Sequence, residues 1–305
     1  MPELPEVTMY VEALRPRVVG ETIVGVRLRS PSLLKSWDPP LSSVVGLGVR
    51  TVSRLGKRLV FGLDDDLFLV LHLMVTGRLR WRAPGVKIPG KGAHGALDFP
   101  SGSLLITEAG TKKRATLHLV RGEAALADHH RGGVEPLEVG EEAFRDALLR
   151  GNRTLKRALT DPSIFSGIGG AHADEILWEA GLSPVQRTGN LDLGQVARLR
   201  EATRSHLKRF TALLQEEMGG AFPEKVTAFH PAMAVHGRYR KPCPRCGAPV
   251  QRIVYAENET NYCAPCQTGG KVLADRSLSR LLRDDWPRTL EAWEESPMAG
   301  GGAPP

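Results

Sequence analysis

"CPRCGAPVQRIVYAENETNYCAPC", residues 243–266, holds all four cysteines of the chain. They form two CxxC pairs, Cys243–Cys246 and Cys263–Cys266, with 16 residues between them. A CxxC turn lets two thiolates reach the same ion, and two such turns close a tetrahedral site with no position left for water. The spacing predicts one structural Zn2+ held by Cys243, Cys246, Cys263 and Cys266. The intervening "APVQRIVYAENETNY" reads as two strands with a turn at Glu257–Glu259, so the unit is a zinc-bound β-hairpin. A redox role for either pair is the alternative, and the tandem arrangement argues against it.

Upstream of the hairpin, three- and four-residue apolar spacing predicts helices over Glu141–Leu149, Arg153–Leu159, Ala171–Ala180 and Leu193–Glu217. Short Gly- and Pro-containing connections join them into a helical domain. The glycine-rich turn Gly167–Gly170 lies just before a helix start, where free N–H groups and the helix dipole suit a phosphate. The same pattern also serves as a plain connector; the basic neighbours Lys156 and Arg157 tilt the reading toward nucleic acid.

Further upstream the period changes. Thr22–Arg29, Val49–Leu55, Arg58–Leu63, Leu67–Met74, Arg78–Trp81, Ala96–Phe99, Ser103–Thr107 and Thr116–Val120 are short alternating or apolar runs, punctuated by "GLDDDL" and "FPSGSL". Eight strands at this spacing predict a β-sandwich or barrel. Ala83–Gly95 reads as a mobile surface loop and Arg121–Glu138 as a connector. In front stands a helix from Pro5 to about Leu14, with Pro5 harmless in its first turn and Pro16 closing or kinking it. Leu273–Arg288 suggests one more helix, and the final "ESPMAGGGAPP" a disordered tail. The fold class is α+β multidomain: 1–128 a sandwich with a leading helix, 129–235 helical, 236–268 the zinc hairpin, 269–305 a helix and tail.

The 305 residues carry 41 Lys and Arg against 34 Asp and Glu, a net charge of +7 compatible with a polyanionic partner. The apolar run Leu67–Leu73 is interrupted by His72 and falls far short of a membrane span. No basic-then-apolar leader precedes Pro2, so the expected setting is a reducing, cytoplasmic one. No membrane partner is expected.

These pieces, "PELPEV" at the start, a sandwich, a helical pair with "GIG" and a four-cysteine hairpin, resemble the formamidopyrimidine-DNA glycosylase and endonuclease VIII family of base-excision repair. The resemblance spans residues 2 to 267, and "PELPEV" leans to the formamidopyrimidine branch. It implies a monomeric enzyme on double-stranded DNA containing damaged bases or abasic sites, with the DNA in a cleft between sandwich and helical domain. Removal of Met1 would leave Pro2 with a free secondary amine. In the family this amine attacks the sugar C1′, the base departs, and the Schiff base enables β- and δ-elimination. A chain-end amine titrates near ~8, and the adjoining helix N-terminus disfavours its protonated form. By the same resemblance Glu3 is the general acid/base and Glu6 orients the chain end. Lys57 in "LGKRLV" contacts phosphate, Met74 in "LHLMVTG" fills the gap left by an everted base, and Glu175 orders the turn. The alternatives are plain: a stiffened helix start for Pro2 and Pro5, a solvated lysine for Lys57, a core methionine for Met74.

Three places depart from the family pattern. Gly170 stands where an Asn follows Gly169 and holds a lesion phosphate. Asn258 stands where the hairpin tip carries an Arg, turning a cationic clamp into a neutral donor. In "GTKKRA", Gly110–Ala115, Lys112 can replace an Arg of the gap-filling loop, whereas Arg114 occupies the place of an aromatic wedge. Three other readings stay open: an endonuclease VIII-like enzyme for oxidised pyrimidines, a catalytically weak lesion-DNA binder, and a zinc-held interaction module. Lesion choice would depend on the loop around Gln215–Pro231.

Overall fold

The computed structural model describes residues 1–295 apart from 91, 111, 225, 228, 256, 257 and 274–285. The expected hairpin turn at 257–259 and the helix over 273–288 therefore lie partly outside the described residues, as does nearly all of the 295–305 tail. The chain divides into two compact units that do not follow chain order. One comprises Met1–Glu135, Ser166–Ile168 and Leu207–Ala228; the other Pro136–Phe165, Gly169–His206 and Phe229–Pro305.

The first unit contains the eight expected strands. β1 (Gly25–Leu28), β6 (Ala93–Phe99), β7 (Gly102–Glu108) and β5 (Gly77–Arg82) form one sheet in the order β1-β6-β7-β5. β2 (Val49–Leu55), β3 (Arg58–Leu63), β4 (Leu67–His72) and β8 (Thr116–Arg121) form the other, in the order β2-β3-β4-β8. Every pair is antiparallel. One face of the second sheet carries Leu59, Phe61, Leu69, Leu71, Leu117 and Leu119, all buried, as period-two alternation requires. Their removal from water is the main force holding the sandwich together.

The leading helix α1 (Leu4–Val18) packs against β2 and β3. Its fully buried Tyr10 accepts a hydrogen bond from Leu79 N on β5 at 3.3 Å, so the helix touches both sheets. Of the two expectations for Pro16, closing or kinking α1, closure does not hold, since the helix runs on to Val18. Pro16 lies exposed near the end of the helix, where it forfeits a single intrahelical bond, and burial of Val18 carries the helix onward. The 121–138 connector also needs correction, because Gly122–Ala127 forms a short helix, α2, against β4 and β8. Its apolar positions are too few for a periodicity signal.

The second unit holds α3 (Glu141–Leu149), α4 (Leu155–Thr160), α5 (Gly170–Ala180) and the first half of α6 (Leu193–Met218). Leu155 N and Lys156 N donate to Gln186 O and Pro184 O, fixing α4 beside the chain that leaves α5. Gly181 ends α5 at φ 66°, the left-handed cap that glycine supplies without strain. The hairpin strands β9 (Gln251–Tyr255) and β10 (Asn258–Tyr262) pair antiparallel; β10 and the following α7 (Ala264–Thr268) contact α5. A last helix, α8, spans Leu290–Glu294.

Candidate active site and nucleic-acid interface

The chain start is buried rather than frayed. Pro2, Glu3 and Glu6 are all buried, and Glu3 and Glu6 form a reciprocal capping box at the start of α1. In it, Glu3 N donates to Glu6 Oε2 at 2.8 Å. Leu4 N donates to Gly167 O at 2.9 Å, which ties the start of α1 to the "SGI" segment of the same unit. Gly167 adopts φ 81°, and a Cβ there would lie 3.0 Å from Leu4 Cβ, so both conformation and space demand glycine.

Lys57 is brought to this chain end. It sits in the two-residue turn between β2 and β3, one residue before the strand that was expected to hold it, with Gly56 at φ 60° ahead of it. Burial lowers the Lys57 pKa, and the charges of Glu3 and Glu6 oppose that shift. The amine of Met1 is likewise lowered, first by burial and further by Arg78 and Lys57, against Glu3 and Glu6. An amine, two carboxylates and a desolvated lysine thus share one small volume. Such a group can hold a nucleophilic nitrogen neutral and move protons.

The lysine turn has support that sequence reasoning missed. Arg54 Nη1 donates to Gly56 O at 2.9 Å and its guanidinium pairs with Glu135, which also accepts from Ser166 Oγ. The chain start, the Lys57 turn and the segment before Gly167 are cross-braced in this way. Glu135 lies in the supposed connector, and no local pattern marks it.

Met74 has φ 53° in the turn between β4 and β5, is half-buried, and so is not a core side chain. Such a conformation costs a non-glycine residue about 1–2 kcal/mol and presents its side chain at a fixed turn. Lys112 and Arg114 are exposed on the 109–115 loop. Its organiser is Glu108, another residue missed in the sequence. The buried Glu108 carboxylate accepts from Arg114 N at 3.0 Å, Ala115 N at 3.2 Å and Thr76 Oγ1 at 3.2 Å, and it pairs with His94 Nε2 at 2.8 Å. Burial pushes its pKa up, but the two backbone donors and His94 together outweigh burial and hold it below the usual carboxylate value.

In the second unit, Gly169 caps α5 in extended conformation and Gly170 begins it. A Cβ on Gly170 would meet only Lys156 Nζ, at 4.0 Å. Lys156 is mostly buried; its ammonium bonds Gly170 O and the fully buried Asp174. It braces the turn as well as adding positive charge. Asp174 also pairs with His236 Nδ1 at 2.8 Å. Glu175 accepts from Ala234 N, Val235 N and His236 N at 2.7–2.8 Å, stapling that segment to α5. Burial raises the Glu175 pKa despite these three donors.

The four cysteine sulfurs lie within 4.8 Å of one another, with Cys243–Cys266 at 4.0 Å and Cys246–Cys263 at 3.4 Å. Four Zn–S bonds of ~2.3 Å in a tetrahedron place sulfurs roughly 3.8 Å apart, so the donor set fits one Zn2+. Trp178 Nε1 on α5 donates to Cys243 Sγ at 3.3 Å, and Gln267 links Cys263 N to Leu182 O. These outer contacts fix the site on the helix. Asn258 is exposed at the start of β10. Asn261, three residues further along β10, is buried and spends its amide on Gly237 N and Glu259. Arg252 and Arg240 stack on Tyr239 at 4.3 and 5.3 Å, which puts guanidinium charge on the hairpin unit that a search of the tip alone overlooks.

Residues 1–127 match the formamidopyrimidine-DNA glycosylase N-terminal domain. Residues 133–218 match the formamidopyrimidine-DNA glycosylase H2TH domain, and 240–269 the zinc finger found in FPG and IleRS. The formamidopyrimidine-DNA glycosylase of Laribacter hongkongensis is 34% identical over 284 residues, covering 88% of this chain and all of its own length. That of Heliobacterium modesticaldum is 32% identical over 280 residues with the same coverage. Among solved structures, Lactococcus lactis Fpg with abasic-site DNA superimposes with a TM-score of 0.78 at 26% identity, covering 87% of this chain and 99% of that one. The same protein with FAPY-dG DNA gives 0.78 at 26% identity, covering 87% and 100%. The chain belongs to the formamidopyrimidine-DNA glycosylase family.

Proposed function

We propose that this protein is a base-excision-repair glycosylase that removes oxidised purines of the formamidopyrimidine and 8-oxo class from duplex DNA and then cuts the backbone. With Met1 removed, the Pro2 nitrogen attacks the sugar C1′. The bond to the base breaks and its electron pair leaves with the base; the nitrogen then gives up its proton, and its lone pair expels O4′, which takes a proton from Glu3, so the sugar ring opens to a cationic Schiff base. That cation acidifies the C2′ proton; loss of this proton expels the 3′ phosphate, and a second elimination expels the 5′ phosphate. Glu3 exchanges protons at the sugar, Glu6 holds the chain end through Glu3 N, and Lys57 meets a phosphate beside the lesion. Met74 fills the stack, Lys112 and Arg114 face the orphaned base, and the turn at Gly169–Gly170 with Lys156 and Asn258 grips the backbone. Zinc stays structural. The proposed setting is the cytoplasm, where the DNA of a bacterial cell lies.

The observation that carries this reading is the cluster of buried Pro2, Glu3 and Glu6 with half-buried Lys57 at the chain start, because it sets two carboxylates and a lysine beside the nitrogen that loss of Met1 frees. Borohydride reduction on an abasic duplex tests it. The processed protein is expected to leave a covalent band, and Pro2→Gly carrying an N-terminal extension to leave none. Mass spectrometry showing Met1 on trapped, active protein would refute the assignment. A second reading, oxidised pyrimidines, is favoured by one finding: a similar Lactococcus lactis Fpg has been solved with oxidised-pyrimidine DNA. Excision rates on matched purine- and pyrimidine-lesion duplexes separate the two.

A further inference from the structure

The hairpin unit holds a basic cluster that the proposed chemistry does not use. Residues 238–241 read "RYRK" and fold as a tight turn, with Lys241 N donating to Arg238 O at 2.9 Å. Arg240 N donates to Val250 O at 2.9 Å and Val250 N to Lys241 O at 3.0 Å, which fixes the turn beside the start of β9. Arg240 stands at φ 66° in the third position of this turn. Glycine adopts that left-handed conformation freely, whereas an arginine there costs stability. The Arg240 guanidinium lies over the Tyr239 ring, 5.3 Å from its centre, and Arg252 of β9 lies over the same ring at 4.3 Å. Arg240 and Lys241 are exposed, while Arg238, Tyr239 and Arg252 are half-buried.

Cross-strand contacts hold Arg252 in place. The register sets Arg252 opposite Asn261 and Val254 opposite Glu259, so Arg252, Asn261 and Glu259 share one face of the hairpin. Asn258, three positions from Asn261, lies on the other face. Asn261 accepts from Gly237 N and donates to Glu259 Oε1, and Glu259 Oε2 stands 3.7 Å from Arg252 Nη1. A guanidinium kept in plane by an aromatic ring loses little freedom on binding, and its fork matches two oxygens of a phosphate. Two guanidiniums on one ring also repel each other, and an anion shared between them relieves that repulsion. A strained arginine at a glycine position points to work done by its side chain, because the backbone gains nothing from it.

We infer that Arg240 and Arg252, stacked on Tyr239, form a phosphodiester-binding site on the hairpin face that does not carry Asn258. The two arginines grip the DNA backbone, and Tyr239 is a positioning residue that holds both guanidiniums in plane. The site rests on the duplex-DNA reading and extends it: the grip of the hairpin unit lies on β9 and the turn beside it as well as at the tip. It reads no sequence, since backbone contacts set register and affinity without touching base edges.

Titration of the full-length, zinc-loaded protein with an undamaged duplex across a salt series tests this. Arg240→Gly is the most telling variant, because glycine suits φ 66°. It is expected to melt at or above the wild-type temperature yet bind duplex more weakly, with the steepness of log K against log salt reduced by about 0.9. Arg252→Gln should reduce the steepness by a similar amount, whereas Arg252→Lys should keep it and lose affinity, since an ammonium carries the charge without the fork. Tyr239→Leu should weaken binding at unchanged steepness, and Tyr239→Phe should retain wild-type binding. Wild-type affinity and steepness in Arg240→Gly overturn the inference. So does a loss of affinity at unchanged steepness in both Arg240→Gly and Arg252→Gln, which makes the cluster structural. Borohydride trapping on an abasic duplex separates the two readings. Variants that trap and keep the wild-type steepness remove this site alone, whereas a wild type that neither traps nor binds duplex in a salt-dependent way removes the DNA reading itself.

Discussion

At the scale of single residues, the site is a set of small side chains and backbone groups held by a few charged ones. Gly170 shows how much one position decides. Gly170 begins α5, and apart from its chain neighbours and its own helix backbone no atom lies closer than 4.0 Å to a Cβ added there. Gly170→Asn should therefore fold without strain and regain a side-chain donor for phosphate. Its expected effect is tighter binding to an abasic-analogue duplex by about 1 kcal/mol, roughly fivefold, read from a titration at fixed salt. Gly167 is the opposite case, since φ 81° and the close approach of Leu4 allow nothing larger. The cysteines are legible in the sequence because they sit in two spaced pairs, whereas Pro2, Glu3 and Lys57 stand out only through the family resemblance. Glu108, Glu135 and Asp174 are not legible, because the role of each acid is defined by partners far away in the chain.

At the scale of elements, the 109–115 loop illustrates how a positively charged segment is held in shape. Its backbone folds around the Glu108 carboxylate, which must stay ionised to accept from Arg114 N, Ala115 N and His94. The pKa of Glu108 lies below its ordinary 4.5 in the folded protein. Its contribution to stability is thus complete above that ordinary value and is lost as pH falls through the lower folded value. Thermal melts of the wild type and Glu108→Gln should show a lower Tm for the variant at neutral pH, and the gap should close on acidification below about 4.5. A gap independent of pH would show that the carboxylate charge does not hold the loop. Element boundaries were mostly legible from periodicity. Helix α1 outran Pro16 because burial of Val18 outweighs one forfeited bond, and α2 escaped notice because six residues carry too little pattern.

At the scale of the whole molecule, the zinc hairpin and α5 form one piece. Trp178 reaches Cys243, Gln267 bridges Cys263 and Leu182, and Glu175 staples residues 234–236. Metal removal should therefore disturb more than the hairpin. Chelation is expected to change tryptophan emission in step with zinc release and to weaken duplex binding at least tenfold, with Zn2+ restoring both. Trp178→Phe identifies the reporter. Retention of full duplex affinity in the metal-free protein would contradict a DNA-gripping role for this unit. Among the described residues, no helix is long and apolar enough to cross a membrane.

The sequence by itself determined the zinc ligands, the eight strands, the main helices and the family, because thiolate spacing, period-two alternation and capped 3.6-residue repeats act over short distances along the chain. Only the tertiary structure decided which charges face one another. The Arg54–Glu135 brace, the His94–Glu108 pair and the Lys156–Asp174–His236 cluster join residues from 14 to 81 positions apart. Burial sets the strength of those pairings, and burial exists only once the sheets and helices have packed.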